Sequence, residues 1–244
     1  MSGAAAAPDP ADVPASDLPP SVRELPDQAR AAITRVLKLL ASERRAPSSV
    51  RDPDRAWRVH VADSLAGLGF AELAQARTIA DVGAGAGFPG LVLAAALPEA
   101  RVDLIESLSG RCDFMRRAID AAAIDNARVI CERSEQWAAG EGRDAYEAVT
   151  ARAVGRLSTL AELASPLLCD GGVLVAWKGR LDPDEEAELG RAAAELAMEP
   201  LEVRHVDPYA GSRHRHLHLV RKHGPTPEGL PRRAGIAKKR PLGA

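Results

Sequence analysis

The chemistry-bearing stretch of the chain is the segment D-x-G-x-G-x-G-F-P-G, formed by Asp81, Gly83, Gly85, Gly87, Phe88, Pro89 and Gly90. Glycines at this spacing permit a tight turn and let a ligand approach backbone N–H groups near the start of a helix. Pro89 suits a first helical turn. One strand further on stands Glu106, a carboxylate able to accept hydrogen bonds from both ribose hydroxyls of an adenosine. Two cofactors match this arrangement. From Gly85 onward the text satisfies G-x-G-x-x-G, with an acid about 20 residues later, the nicotinamide-dinucleotide fingerprint. From Asp81 onward it suits S-adenosyl-L-methionine, whose amino-acid moiety the turn would receive. The turn alone does not choose between them.

Ligands of open α/β sheets bind outside the carboxyl ends of the strands, so each strand end carries information. The third predicted strand ends at Glu132, Arg133, Ser134 and Glu135; Ser134 and Glu135 are expected at an adenine edge, against the plainer reading of a solvated loop. The fourth ends Thr150, Ala151, Arg152, Ala153, Val154. It has neither an Asn/Asp-Pro-Pro-aromatic cradle for an exocyclic amine nor a Pro-Cys nucleophile. An acceptor whose own lone pair attacks, such as guanine N7, needs neither. That atom carries no proton, so no general base is required, and catalysis rests on proximity and orientation. Arg152 and Lys178, at the ends of the fourth and fifth strands, are the expected positioning residues, with surface ion pairing as the alternative for each. His214, His216 and His218 alternate and are expected on one strand face. No second ligand cluster accompanies them, so they are read as a polar face rather than a metal site.

These groups need a scaffold, and the alternating text supplies one. Strands are predicted at 77–82, 101–106, 127–132, 147–152 and 172–178, with helices at 89–97, 111–123, 158–168 and 183–198 between or after them. Such alternation means right-handed βαβ units and a largely parallel sheet. Two closing runs, 201–206 and 214–221, are separated only by a turn-prone stretch and predict a hairpin, so one strand must run antiparallel. That ending favours a methyltransferase over a nicotinamide enzyme. The expected fold is therefore a Rossmann-like α/β sheet of seven strands, mostly parallel, with a C-terminal antiparallel strand. Ahead of the sheet, Ile33, Val36, Leu37 and Leu40 mark a helix over 26–43, and Asp52 before Pro53 caps another to about residue 65.

The 244 residues carry a formal charge of −2, which excludes a uniformly basic nucleic-acid coat. The charge is segregated, however. Residues 200–244 hold ten Lys and Arg against three acids, an excess of +7, leaving −9 on residues 1–199. A methyltransferase domain is expected over 21–223, comprising helices at 26–65 and a core at 77–223. It lies between a disordered Ala/Pro-rich extension, 1–20, and a basic flexible tail, 224–244. The three cysteines, Cys112, Cys131 and Cys169, form no C-x-x-C pair. A disulfide framework is therefore not expected, and a reducing cytoplasm fits. No apolar run is long enough to span a bilayer.

Taken together, Asp81–Gly90, Thr150–Val154 (TARAV), Ala176–Gly179 (AWKG), the helix segment Trp57–Leu65 with His60, Asp63 and Ser64, and the basic segment Pro231–Leu242 are similar to the bacterial 16S rRNA guanine-N7 methyltransferase family, methyltransferase G or glucose-inhibited division protein B. The resemblance covers about residues 29–242. It implies methyl transfer from S-adenosyl-L-methionine to N7 of a guanosine in 16S rRNA near the decoding site of the small ribosomal subunit; separately, a monomer is expected. By motif position, Asp81, Gly83, Gly85, Gly87, Phe88, Glu106, Ser134, Glu135 and Arg152 would meet the cofactor. His60, Arg221, Lys222, Arg232, Arg233, Lys238, Lys239 and Arg240 would meet RNA. The family often has Asn-Leu-Thr before the His-bearing helix, whereas Pro47, Ser48 and Ser49 stand here.

Overall fold

The computed structural model describes residue 10 and residues 13–43, 46–50 and 52–244. Seven strands form one sheet: β1 (Thr78–Val82), β2 (Arg101–Ile105), β3 (Ala127–Ile130), β4 (Tyr146–Arg152), β5 (Leu168–Lys178), β6 (Met198–His205) and β7 (His216–Lys222), in the spatial order β3-β2-β1-β4-β5-β7-β6. The first five are mutually parallel, and β7 lies antiparallel between β5 and β6. Chain order reverses on the two sides of β1, which opens a crevice at that point. The register levels the strand ends: Val82 pairs with Ile105 and Ala151, Ile105 with Ile130, and Ala151 with Ala176. His216 pairs with Lys178, so the connection from β6 into β7 arrives at the same edge as the parallel strands' carboxyl ends.

The helices are α1 (Pro20–Arg23), α2 (Asp27–Ser42), α3 (Pro53–Ala56), α4 (Asp63–Leu65), α5 (Ala71–Ala74), α6 (Gly90–Ala96), α7 (Ser109–Ala122), α8 (Ser134–Ala138), α9 (Leu157–Ala164), α10 (Pro183–Ala193) and α11 (Ile236–Lys239). Central strands are covered on both faces, so β1 reads Ile79, Ala80, Asp81, Val82 with every side chain buried. One face packs with α2, α6 and α7 through Ile33, Val36, Leu37, Leu93 and Phe114; the other packs with α9 and α10 through Leu160 and Leu189, and with Leu196 just beyond α10. Asp52 caps α3 as expected, its Oδ1 accepting from Arg55 N at 2.9 Å. The helix expected to reach Leu168 stops at Ala164, two residues before Pro166, and β5 begins at Leu168. The helix expected to reach Met198 gives way to a 3₁₀ turn, Ala194–Leu196, and Ala197 takes φ +50° before β6.

Three expectations need correcting. Cys112, in the first turn of α7, and Cys131, just beyond β3, are joined by a disulfide with Cα atoms 5.9 Å apart. Their separation of 19 residues concealed this, because the βαβ crossover returns the chain to the sheet edge. Cysteine spacing therefore does not point to a reducing compartment. Second, part of the segment expected to be a disordered extension is built into the fold. Leu18 is buried, and the Pro10 carbonyl accepts from Trp57 Nε1 at 3.1 Å. Residues 1–9, 11 and 12 lie outside the described residues. Third, residues 224–244 run back across the domain, where Leu230 is buried in the core that covers one sheet face and Leu242 packs against that core.

Candidate active site

The turn after β1 depends on its glycines. Gly83, Gly85 and Gly87 have φ of +67°, +61° and +89°, values that side chains rarely adopt. A Cβ on Gly83 would lie 2.7 Å from Val154 Cγ2, so a residue there would collide with the loop after β4. Asp81 organises this turn from beneath and does not line the neighbouring cavity. Its Oδ2 accepts from Gly90 N at 2.9 Å, and its Oδ1 accepts from Thr150 Oγ1 at 3.1 Å. Burial raises its pKa to about 6 in spite of those hydrogen bonds.

Beyond the turn lies a cavity of about 360 Å³ lined by Gly83, Glu106, Ser134, Glu135, Thr159 and Lys238 among others. Its size falls within the range of about 300–1,000 Å³ typical of small-molecule sites. Glu106, at the end of β2, is buried and heavily engaged. Oε1 accepts from Ser107 N at 2.8 Å and Leu108 N at 3.0 Å; Oε2 accepts from Gly85 N at 3.2 Å and Arg111 Nη1 at 3.2 Å. Those four bonds match a carboxylate's acceptor capacity, so a ribose hydroxyl would have to displace one. The Arg111 guanidinium, 45% exposed, is the replaceable partner. Ser134 and Glu135 open α8, a short helix where a strand-end loop was read. Glu135 Oε1 accepts from Gly235 N at 2.7 Å, tying the C-terminal segment to the cavity wall.

A second cavity, about 320 Å³, opens on the other side of the loop after β4 and is lined by Val59, His60, Asp63, Arg152, Gly155, Trp177, Lys178 and Arg215 among others. Its floor comes from a π-helical stretch, Trp57–Ala62, between α3 and α4. Such turns recur at functional sites because they re-aim side chains. His60 stacks on Phe88 with ring centroids 4.5 Å apart and an interplanar angle of 5°. Its Nε2 lies 2.9 Å from Ser48 Oγ. Burial, reinforced by the Arg152 charge, pushes its pKa down to about 4, so the ring is neutral at pH 7. Arg152 Nη1 donates to Asp63 Oδ2 at 2.9 Å, and Trp177 Nε1 donates to the Asp63 carbonyl at 2.8 Å. Lys178 Nζ donates to Gly155 O at 3.0 Å and pairs with Glu185 at 2.7 Å.

Several residues therefore stand elsewhere than expected. Phe88 does not line the larger cavity; it faces His60, with the Arg152 guanidinium 6.0 Å from its ring centre. Arg152 and His60 both belong to the smaller cavity. Lys222, expected at an RNA surface, is fully buried, and its ammonium donates to Thr226 Oγ1 at 2.7 Å, to the Leu168 carbonyl and to Asp144. Its neighbours on the same strand face, Val220 and His218, are buried too, and Thr226 of the returning C-terminal segment receives its ammonium. Arg232 is bound to buried Glu162, with Nε donating to Oε1 at 2.6 Å, and to the Arg240 carbonyl at 2.7 Å. Arg221 pairs with Glu72 at 2.9 Å. Arg233, Lys238, Lys239 and Arg240 are exposed, and Lys238 and Lys239 also border the larger cavity. Only His216 and His218 of the three alternating histidines lie in β7; His214 precedes it with φ +53°. Asp63, Trp177 and Arg215 were not anticipated as site residues. The spacing His60-x-x-Asp63 on a helix was the available signal.

A sheet in this order, closed by an antiparallel strand and carrying a glycine turn beside a carboxylate at the end of β2, defines a class I S-adenosyl-L-methionine-dependent methyltransferase. A solved fibrillarin from Aeropyrum pernix, with natively bound S-adenosyl-L-methionine, shares the fold at a TM-score of 0.51 and 14% identity, over 66% of this chain and 72% of that one. Residues 34–217 match the family model described as rRNA small subunit methyltransferase G. The Ribosomal RNA small subunit methyltransferase G of Rubrobacter xylanophilus is 41% identical over 84% of this chain and 80% of its own length. That of Desulfitobacterium hafniense is 37% identical over 80% of this chain and 81% of its own. The chain belongs to the rRNA small subunit methyltransferase G family.

Proposed function

We propose that this chain transfers the methyl group of S-adenosyl-L-methionine to N7 of a guanosine in the 16S rRNA of the small ribosomal subunit. The observation that carries the reading is the pair of cavities on either side of the loop after β4, one beside the glycine turn and the other lined by polar side chains. The first fits the cofactor in its chemistry: a cavity of about 360 Å³ beside Gly83, a buried carboxylate at Glu106, and Ser134 and Glu135 for an adenine edge. When bound, the cofactor supplies an electrophilic sulfonium methyl. The chain's own part is orientation. His60, neutral and stacked on Phe88, and the Arg152–Asp63 pair hold the acceptor side rigid, and Lys178 is fixed by its partners at the rim. None is required to take a proton, because N7 has none to lose.

The exposed cations Arg233, Lys238, Lys239 and Arg240 are the phosphate contacts we assign. RNA selection would come from shape and an accessible base. No described helix is long and apolar enough to cross a membrane; a cytoplasmic monomer acting on rRNA is the reading we adopt. The test is transfer of labelled methyl from S-adenosyl-L-methionine to small subunits isolated from cells lacking this enzyme. Incorporation into the RNA supports the reading; label only in protein, or in neither, overturns it.

A further inference from the structure

Among the described residues, six buried side-chain polar atoms lack a hydrogen bond, and three of them belong to residues lining the smaller cavity: His60 Nδ1, Asp63 Oδ1 and Arg215 Nε. Unsatisfied buried groups cost stability, so a cluster of them in a cavity wall marks groups kept for a ligand. Asp63 is held in place: Oδ2 is taken by Arg152, and its carbonyl by Trp177. Only Oδ1 is left over, and it lies 3.4 Å from Arg215 Nε, within ion-pair range but without hydrogen-bond geometry. The two side chains differ in freedom. The Asp63 side chain is 7% exposed on a helix, whereas that of Arg215 is 36% exposed at the end of the β6–β7 connection, its far nitrogen 3.4 Å from the Tyr209 hydroxyl. Arg215 can swing while Asp63 stays.

We propose, building on the guanine reading above, that the acceptor base enters between these two groups. Its N1–H and exocyclic amine donate to Asp63 Oδ1, and its O6 accepts from Arg215 Nε. Ligand entry replaces one poorly aligned contact with an acceptor matched to donors and a donor matched to an acceptor. Guanine offers that edge. Adenine presents an unprotonated N1, which the carboxylate repels, and an amine where Arg215 needs an acceptor. Asp63 and Arg215 are thus specificity residues, reading the base on its Watson–Crick edge and leaving N7 free to attack.

The test is methyl transfer to small subunits whose acceptor guanosine is replaced by inosine, which lacks the amine, or by 2-aminopurine riboside, which lacks O6 and the N1 proton. The wild-type enzyme should prefer guanosine over each by about tenfold to a hundredfold, the range expected for one good base-edge contact. Asp63→Asn should bring the guanosine-to-inosine ratio close to one. Arg215→Gln should leave that ratio intact and lower only the guanosine-to-2-aminopurine ratio. Variants that slow all three substrates by the same factor, or a wild type that does not discriminate, would overturn the assignment. Should Asp63→Asn fail to fold, the Arg215→Gln ratios decide alone. Label at guanosine N7 with unchanged ratios would reject this inference only, whereas label at another atom rejects the functional reading as well.

Discussion

Asp81 is a carboxylate with no route to solvent that nonetheless fixes the glycine turn through two hydrogen bonds. Its pKa is raised from 3.8 to about 6 by burial, so folding favours the protonated acid. The sign follows: its contribution to stability is complete below pH 4 and is lost as pH rises through 6. Asp81→Asn should therefore gain on the wild type across that interval and hold a constant difference above it. Unfolding midpoints of the two proteins measured from pH 4 to 8 check this, and a pH-independent difference would contradict it. The motif made Asp81 legible as part of the site. Its burial was not legible, because a spacing pattern cannot distinguish a residue that touches a ligand from one that shapes the turn beneath it. Gly83 is the opposite case, where residue type and role coincide. Gly83→Ala forces a side chain at φ +67° against Val154 and should abolish detectable cofactor binding in calorimetric titration while the chain stays folded.

Among the elements, strand and helix alternation disclosed the core almost in full, since β1 to β5 need period-two or continuously apolar text and the helices between them need 3.6. The C-terminal segment was harder. Gly224–Ala244 has no periodicity, and its cations resemble a solvated tail. Its place in the fold depends on single long-range contacts: Arg232 to Glu162, Gly235 to Glu135, and the Ala237 carbonyl to Thr159. None of these leaves a local signature. Glu162 is 3% exposed, so Arg232→Ala strands a buried carboxylate and should cost about 3 kcal/mol in unfolding free energy. Removing residues 231–244 should weaken cofactor binding by at least about tenfold, together with RNA binding, because Gly235, Ala237, Lys238 and Lys239 form part of the cavity wall. Cofactor affinity unchanged by the truncation would show that wall to be dispensable.

Across the whole molecule, the excess of +7 after residue 199 is not all available to a partner. Lys222 and Arg232 are engaged inside the protein, and Arg204, Arg215 and Arg221 are paired with acids nearer its surface, which leaves Arg213 and, in the C-terminal segment beside the larger cavity, Arg233, Lys238, Lys239 and Arg240 as the exposed set. Charge segregation was visible in the sequence; which charges are consumed internally was not, because that depends on where a non-periodic segment comes to rest. Neutralising the four exposed cations of the C-terminal segment, Arg233, Lys238, Lys239 and Arg240, should reduce the slope of log affinity against log salt by up to about 0.7–0.9 for each phosphate that the protein no longer neutralises. Lys222→Met should lower the unfolding midpoint and leave that slope unchanged. Whether N7 of guanosine is the acceptor is decided by borohydride–aniline cleavage of 16S rRNA from small subunits treated with enzyme and S-adenosyl-L-methionine. Strand scission at a single 7-methylguanosine, absent without enzyme, is the expected outcome; methyl incorporation into the RNA with no scission would refute the N7 assignment.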